Sequence, residues 1–373
     1  MAGATLDRKL TKARASRVAF ALAKPEDDAG LRRLLRENPM RGAVTLTMER
    51  EPDYFADADL PGMEKQTIIA KEGGVVVSAG SCAVRRRFVD GRASRVGYLG
   101  GLRLDERVAG RFDIVRRGYE VLREMQQADP ADYYFTSIAA DNARARAFLE
   151  RGVRGMPRYE FIGELVTLLL PVKGMKRAGQ SLAVPTVDEV VSFLNEQNAD
   201  RQFAECWTVQ ELEALSELGL RREDFRGVRV NRKWVAMGAV WDQRSFKQTV
   251  IREYGGALAL ARPWVNLAAR CFGTSVLPAV GSTLANAFVS PLAVDPKMPE
   301  ALTELLGGLA EVARTRGIEY LTVGFAAEDP RLGMMQREYS CREYVSRIYV
   351  VRWEDLGGAV REVEPLGLDV AWL

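Results

Sequence analysis

The chain has 373 residues, of which 47% are hydrophobic and 28% charged, and its formal net charge is +3. This length is sufficient for two domains with separate cores, and the composition is ordinary for a globular protein. The sequence contains no histidine, which excludes Ser-His-Asp and Cys-His mechanisms, histidine-ligated zinc and an imidazole general base. The small positive charge is compatible with anionic ligands and gives no argument for nucleic acid.

The absence of several other motifs excludes further classes of function. The four cysteines are far apart and form no Cys-x-x-Cys pair, so neither a zinc cluster nor a redox motif is indicated, and we expect no metal. Neither the Walker A nor the Gly-x-Gly-x-x-Gly pattern occurs. The N-terminus lacks an apolar signal segment, and the uncharged residues 271–294 are interrupted by glycine and proline. We therefore expect a cytoplasmic protein without a membrane segment.

Taken in order, the chain begins with a tail at residues 1–16. Residues 16–23 alternate as a strand, and Pro25 starts a helix that continues to about Glu37. A second short helix is expected at residues 51–60. Residues 65–71 and 74–89 form the arms of a predicted hairpin, with two glycines between them at the turn.

The most informative stretch follows this hairpin. Residues 96–104 read as an apolar strand, residues 105–111 as a charged turn, and the next residues as an amphipathic helix of period 3.6. Such a turn presents free N–H groups and the positive end of the helix dipole, and Gly110 lets the backbone approach an anion. An ordinary strand-to-helix connection is the alternative. Another strand follows at residues 132–138, and Asp141 or Asn142 then caps a helix that ends at Gly152.

The second half of the chain repeats the first. Residues 158–170 suggest two closing strands, and residues 171–185 are rich in Gly, Pro and Lys/Arg, as in a linker. Beyond it, residues 292–296 match 102–106, a helix at 299–316 corresponds to 112–127, and a strand at 318–325 corresponds to 132–138. Residues 245–280 read as an insertion between strands. A repeat at this spacing predicts two similar modules.

The order of strand, turn, helix, strand and Asn-x-x-Ala helix resembles the GNAT superfamily of acyl-CoA N-acetyltransferases. The family's pyrophosphate pattern, roughly Leu-x-Val-x-Pro-x-x-Arg-Gly-x-Gly, aligns with Leu102–Phe112 at the apolar residues and at Gly110. The sequence departs from it at Glu106, Ala109 and Phe112. The resemblance implies an α+β fold of two tandem GNAT-like domains, each a mixed, mostly antiparallel sheet flanked by helices. The first domain would span residues 17–170 and the second, degenerate one residues 186–373.

The resemblance also implies a site for acetyl-CoA as co-substrate, bound by the strand end, the turn and the second helix cap: Leu102, Arg103, Leu104, Ala109, Gly110, Arg111, Phe112 and Asn142. Leu149 occupies the position of the family's usual acidic tyrosine, so Tyr98 and Tyr159 are the candidate catalytic residues, each with a core role as the alternative. Asp105 or Glu106 is a candidate base or a helix-start acid. The arginine run 85–87 is either a solvated strand edge or a contact with CoA phosphates.

These observations predict an N-acetyltransferase that acts on an unidentified small-molecule or peptide amine by direct attack. Two alternatives from other classes stay open: a non-catalytic CoA-binding or interaction protein, and an aminoacyl-tRNA-dependent transferase with tandem GNAT-like domains. The first alternative follows from the departures at Ala109, Phe112 and Leu149, whereas the second requires a basic groove. The sequence does not fix the oligomeric state, for which a homodimer is one option.

Overall fold

The structure, a computed structural model, describes residues 18–176, 179, 182–271, 276–360 and 365–373. The predicted N-terminal tail at residues 1–16 and part of the predicted linker lie outside the described residues.

The first half alternates strands and helices much as the sequence predicts. Its strands are β1 (Ala19–Leu22), β2 (Val44–Glu49), β3 (Met63–Glu72), β4 (Val75–Val89), β5 (Arg92–Leu104), β6 (Tyr133–Ala139) and β7 (Arg158–Pro171). Its helices are α1 (Asp28–Arg36), α2 (Phe112–Gln126) and α3 (Ala143–Leu149). The predicted hairpin of β3 and β4 is confirmed, as are the strand, turn and helix between Arg92 and Gln126.

The second half is built in the same way. Its strands are β8 (Leu182–Ala183), β9 (Phe225–Val230), β10 (Lys233–Trp241), β11 (Gln248–Tyr254), β12 (Asn286–Val294), β13 (Tyr320–Ala326) and β14 (Arg342–Arg352). Its helices are α4 (Val187–Asn198), α5 (Val209–Ala214), α6 (Gly256–Cys271), α7 (Ala301–Thr315) and α8 (Pro330–Glu338).

The strands of the two halves form one large sheet with the order β1-β3-β4-β5-β6-β14-β7-β13-β12-β10-β9-β8, and β11 pairs with β2 separately. Two pairs are parallel, β5 with β6 and β12 with β13, and a helix connects the strands of each pair. The other neighbours described are antiparallel. The prediction of a mixed, mostly antiparallel sheet with a repeated unit is therefore confirmed.

The two halves exchange their closing strands. Strand β14, from the end of the chain, lies between β6 and β7 of the first half, and β7 lies between β14 and β13 of the second. Ile348, which is fully buried, pairs with Ser137 on one side and Gly163 on the other. The sheet is thus continuous across the predicted domain boundary, which stays a prediction.

Buried arginines also join the halves. Arg85 and Arg87 of β4 are 6% and 2% exposed. Arg87 forms an ion pair with Glu205 at 2.6 Å and donates to the Phe203 carbonyl, while the Arg85 guanidinium lies 3.8 Å from the centre of the Trp372 ring. Because strand side chains alternate, both point to one face. Neither predicted role, a solvated edge or a contact with CoA phosphates, is correct for this pair.

Two other predictions from the sequence are wrong. Residues 51–60 form hydrogen-bonded turns instead of a helix, with Ala58 N–H donating to the Phe55 carbonyl three residues earlier. Proline and several aspartates in this stretch favour turns over helix. Residues 158–170 form one strand, β7, instead of two, because the irregularity at Gly163 is accommodated as a bulge against β14.

Candidate active site

Strands β5 and β6 pair for a short distance and then separate. The parallel pairing covers residues 96–98 of β5 and 133–135 of β6. Beyond it, the register between β4 and β5 shifts, which places a bulge at Gly101 and Leu102. Gly101 has φ +66°, a conformation that favours glycine. The edge of β5 from Leu99 to Leu104 therefore faces an opening between the two strands, which we call the first split.

Side chains close the narrow end of the first split on both faces of the sheet. On one face, the Thr136 hydroxyl donates to the Leu99 carbonyl at 2.6 Å. On the other, the hydroxyls of Tyr98 and Ser137 are 2.8 Å apart and share a hydrogen bond. The Tyr98 ring packs against Phe135 with centroids 5.0 Å apart. Of the two predicted catalytic tyrosines, Tyr98 therefore lies at the split.

Burial raises the pKa of Tyr98, although the hydrogen bond from Ser137 partly opposes this shift. Because the unperturbed tyrosine pKa is already near 10, the phenol stays protonated at neutral pH. A protonated hydroxyl that already contacts a second hydroxyl can donate a proton and recover one through its neighbour.

Tyr159 lies on the opposite face of the sheet, beneath α2. Its hydroxyl makes a short hydrogen bond to that of Tyr119, and burial raises its pKa well above the usual value. It packs against a cluster that contains Leu149. The structure thus does not bring Tyr98 and Tyr159 together, and the surroundings of Tyr159 are those of a core residue.

The bulge decides which face of the sheet each β5 side chain occupies. Strict alternation from Tyr98 would place Leu104 on the same face as Tyr98 and Arg103 on the other. Leu104 instead packs with Val108 and Ile114 on the side of α2. The extra residue in the bulge therefore moves Arg103 to the face of Tyr98, where both lie within electrostatic range of each other.

The backbone of the strand end fits the predicted role of Leu104. The N–H of Asp105 donates to the Val77 carbonyl of β4 at 2.8 Å. Because successive N–H groups of an extended strand point in opposite directions, the N–H of Leu104 points into the first split. Leu102 lies within the bulge, and its carbonyl accepts a hydrogen bond from the Arg103 guanidinium at 2.9 Å.

The turn after β5 uses most of its N–H groups internally. Those of Val108, Ala109, Arg111 and Phe112 donate to carbonyls within the turn, and that of Arg107 donates to the Asp105 carboxylate. Arg107 and, more weakly, Arg33 also contact the Asp105 carboxylate and hold its pKa well below its usual range. This environment favours the capping role of Asp105 over that of a base.

Gly110 is exposed, with φ +87°, and the Arg144 guanidinium of α3 lies 3.6 Å from where its Cβ would stand. Because the turn's own N–H groups are mostly engaged, Arg144 is the group best placed to attract a phosphate there. The sequence reasoning missed Arg144. Asn142 caps α3 by accepting a hydrogen bond from Ala145 N–H at 3.1 Å. Arg144 follows this cap by two residues, and that position in the sequence could have indicated it.

Phe112 and Arg111 complete the set of predicted cofactor residues. The Phe112 ring, 49% exposed, stacks on Phe148 with centroids 4.4 Å apart, so that the pair bridges α2 and α3. Arg111 forms ion pairs with Glu72 and Asp113. A phosphate at the turn would compete with these carboxylates.

The second half has an equivalent opening between β12 and β13, which we call the second split. These strands pair at residues 286–288 and 320–322, and a bulge at Ser290 then separates them. The C-terminal segment fills the opening: the Ser290 hydroxyl bonds to the Asp369 carboxylate at 2.6 Å, and a Cβ at Gly324 would collide with Val370. A cavity of about 60 Å³ remains between these parts.

Two further observations concern metals and membranes. The described residues contain no group of three or more Cys, Asp or Glu side chains placed to hold a metal ion. Among the helices of the described segments, none combines the length and hydrophobicity needed to cross a lipid bilayer.

No protein-family model matches the sequence, and no curated protein matches it. Solved structures do match the fold. One is Saccharomyces cerevisiae N-myristoyltransferase with bound myristoyl-CoA, at TM-score 0.60 and 11% identity over 94% of this chain and 84% of that chain. Another is a GCN5-related N-acetyltransferase from Sphaerobacter thermophilus, at TM-score 0.56 and 13% identity over 92% and 98% of the two chains. The chain therefore has a tandem GNAT-like fold.

Proposed function

We propose that the protein is an acyl-CoA-dependent N-acyltransferase whose first split is the active site. The observation that carries this proposal is the bulged end of β5, which directs the N–H of Leu104 into the opening whose narrow end the Tyr98 hydroxyl closes. The S. cerevisiae structure of the same fold contains myristoyl-CoA, which supports a CoA thioester as the co-substrate.

In the proposed reaction a neutral amine attacks the thioester carbonyl, a C–N bond forms, and the C–S bond breaks. The N–H of Leu104 stabilises the negative charge that develops on the carbonyl oxygen. The amine loses a proton, and the Tyr98 hydroxyl donates one to the departing sulfur and regains one through Ser137. The chain has no histidine, so water is the natural carrier of the proton that the amine releases.

We further propose acetyl as the transferred group. Thr136 and Tyr98 close the narrow end of the split on both faces, which favours a short acyl group. A comparison of acetyl-CoA with myristoyl-CoA tests this point: acetyl transfer should be the faster, and a preference for myristoyl-CoA would contradict it.

The test of the mechanism measures thiol release from acetyl-CoA with a panel of amines, for the wild type and two tyrosine variants. Tyr98→Phe should lower kcat by about 100-fold or more, because a general acid contributes at least that much, while CoA affinity is retained. Tyr159→Phe is the matched control, since it removes a hydroxyl from a core pair, and should change stability more than kcat. Equal kcat for Tyr98→Phe and the wild type would contradict the role of Tyr98.

A second candidate is a CoA-binding protein without catalysis. It is favoured by the turn at residues 105–111, whose N–H groups are mostly engaged, and by the Phe112–Phe148 stack beside it. Acetyl-CoA binding in a calorimetric titration, combined with no thiol release for any amine, would select this candidate over the enzyme.

A further inference from the structure

In the part of the chain that the structure describes, Arg103 lacks the carboxylate partner that three other arginines around the first split have. Arg33, Arg107 and Arg111 each form an ion pair with a carboxylate. For Arg103, no Asp or Glu of the described residues lies within ion-pair distance, and its guanidinium donates to the neighbouring Leu102 carbonyl.

The surroundings of Arg103 partly desolvate its guanidinium but provide no negatively charged partner from the described segments. The side chain is half-buried, and burial lowers its pKa. The groups within electrostatic range are the hydroxyls of Tyr98, Tyr54 and Tyr344. A partly desolvated guanidinium without a carboxylate is unfavourable by itself, and an anion that binds there gains charge-assisted, bidentate hydrogen bonds.

The face of the sheet distinguishes the two anions that the proposed reaction brings to the site. The turn, Gly110 and Arg144 lie at the start of α2, where the CoA phosphates would bind. Arg103 lies on the opposite face, because the bulge at Gly101 moves it to the side of Tyr98. Because the CoA phosphates would occupy the α2 face, the face of Tyr98 and Arg103 is the one left for the acceptor.

The second half of the chain contributes to the same place. Tyr344 of β14 is 42% exposed, and its hydroxyl is within electrostatic range of Tyr98, Arg103 and Asp141. Tyr344 therefore brings a hydroxyl from the far end of the chain into the surroundings of Arg103.

We infer that Arg103 binds a carboxylate of the acceptor, so that the preferred acceptors are amines that carry a carboxylate close to the nitrogen, of which α-amino acids are the simplest. This inference rests on the proposed function. The amine and carboxylate of such a molecule are bonded to one carbon. A carboxylate held by Arg103 therefore holds the amine next to the residue whose N–H points into the split, on the face of the sheet that carries the Tyr98 hydroxyl.

The kinetic test uses acceptor pairs that differ only in the carboxylate, phenylalanine with phenethylamine and leucine with isopentylamine. The wild type should have the higher kcat/KM for the amino acid of each pair. Arg103→Gln should lower kcat/KM for the amino acid by about 30- to 100-fold and leave the simple amine unchanged, as expected for loss of a charged hydrogen-bonded pair. Arg103→Lys should retain part of the preference.

Arg144→Gln is the matched control, because it removes a guanidinium on the α2 side. It should weaken CoA binding without changing the ratio between the two acceptors of a pair. If Arg103→Gln instead lowers CoA affinity and affects both acceptors equally, the anion at Arg103 is a CoA phosphate and the inference is overturned. No preference for the carboxylated acceptor in the wild type would also overturn it.

A binding measurement separates this inference from the proposed function. The CoA-saturated protein is titrated with N-acetylphenylalanine and with N-phenethylacetamide. Tighter binding of the acid, lost in Arg103→Gln, supports the carboxylate site even if no amine is acetylated, a result that would overturn the proposed function alone. Equal affinity for the two compounds would overturn the carboxylate site, whatever the kinetics show.

Discussion

At the scale of single residues, burial shifts the pKa values of some acidic groups in ways that the sequence alone does not predict. Asp369 is held in the second split, where burial and the charge of Glu205 raise its pKa to about 7. Its carboxylate accepts hydrogen bonds from the Ser290 hydroxyl and the Ala371 N–H. Arg87, which opposes this shift, is already paired with Glu205. A buried acid of this kind makes the C-terminal segment sensitive to pH.

This shift predicts how stability depends on pH. Between the ordinary pKa of aspartate and about 7, the folded protein holds a proton on Asp369 that the unfolded chain releases. The contribution of Asp369 to the free energy of unfolding therefore falls as pH rises through this window. Asp369→Asn keeps the neutral hydrogen-bonded form, so it should match the wild type only below the ordinary aspartate pKa, and its advantage in stability should grow by on the order of 2 kcal/mol between pH 5 and pH 8.

Urea unfolding of both proteins at several pH values between 5 and 8 measures this difference directly. A constant difference across the range would mean that Asp369 titrates normally in the folded state.

At the scale of elements, the bulge in β5 is the feature that organises the first split. It separates β5 from β6, and it puts Leu104 on the α2 side and Arg103 on the face of Tyr98. In the second split, a bulge at Ser290 in β12 likewise separates the two parallel strands. A single bulge thus opens the split and also determines which face of the sheet the following side chains occupy.

Gly101→Ala tests this role of the bulge. A residue with a Cβ is strained at φ +66°, so the substitution should reduce stability by about 1 kcal/mol and, in the proposed enzyme, reduce the preference for carboxylated acceptors. Gly74→Ala is the matched control: it has φ +83° in the β3–β4 turn, with nothing within 4 Å of the added Cβ.

Chemical unfolding and kcat/KM for an acceptor pair are measured for both glycine variants. They should lose similar stability, and the preference should change in Gly101→Ala alone. An unchanged preference in Gly101→Ala would show that the bulge survives without glycine or that Arg103 does not select the acceptor.

The sequence predicts local elements of this fold better than their long-range pairing. The strand, turn and helix between Arg92 and Gln126 follow from hydrophobic periodicity, and the repeat follows from matched spacing. The short strand β2 was missed, because it is stabilised by pairing with β11, about two hundred residues away. The burial of Arg85 and Arg87 depends on Glu205 and two tryptophans from the other half, which no local pattern reveals.

The candidate site was predictable to a similar extent. The resemblance pointed to the first split: Leu104 lies at its edge, Gly110 lies beside Arg144, and Asn142 caps α3, while their cofactor-binding roles stay predictions. Tyr98 could be placed at the split from its strand, whereas Tyr159 could not be assigned to the opposite face without the pairing of β7. The face of Arg103 depends on a bulge, and Tyr344 arrives from the far end of the chain, so neither role is visible in the sequence.

At the scale of the whole molecule, the exchange of closing strands makes the halves interdependent. β6 pairs with β14, and β7 pairs with both β14 and β13, so the first half obtains part of its sheet from residues 342–352. Ile348 and Val350 of β14 pack with Val96 and Phe135 in one buried cluster. The predicted boundary at residues 171–185 therefore does not separate two closed sheets.

A fragment of residues 1–185 should accordingly fail to fold by itself, since β6 would lose its neighbour and a buried apolar cluster would be exposed. Co-expression with residues 186–373 should restore a folded heterodimer. Size-exclusion chromatography and thermal unfolding of each preparation test this. A fragment that is monomeric by itself and unfolds cooperatively would show that the first half is autonomous.

Strand β14 also has a consequence for synthesis. A nascent chain leaves the ribosome from its N-terminus, so β6 is complete long before residue 342 emerges. During that interval the edge of β6 that later receives β14 is unprotected, and such an edge recruits other strands. Translation rate and chaperone access over the second half of the message should thus govern how much native protein a cell obtains.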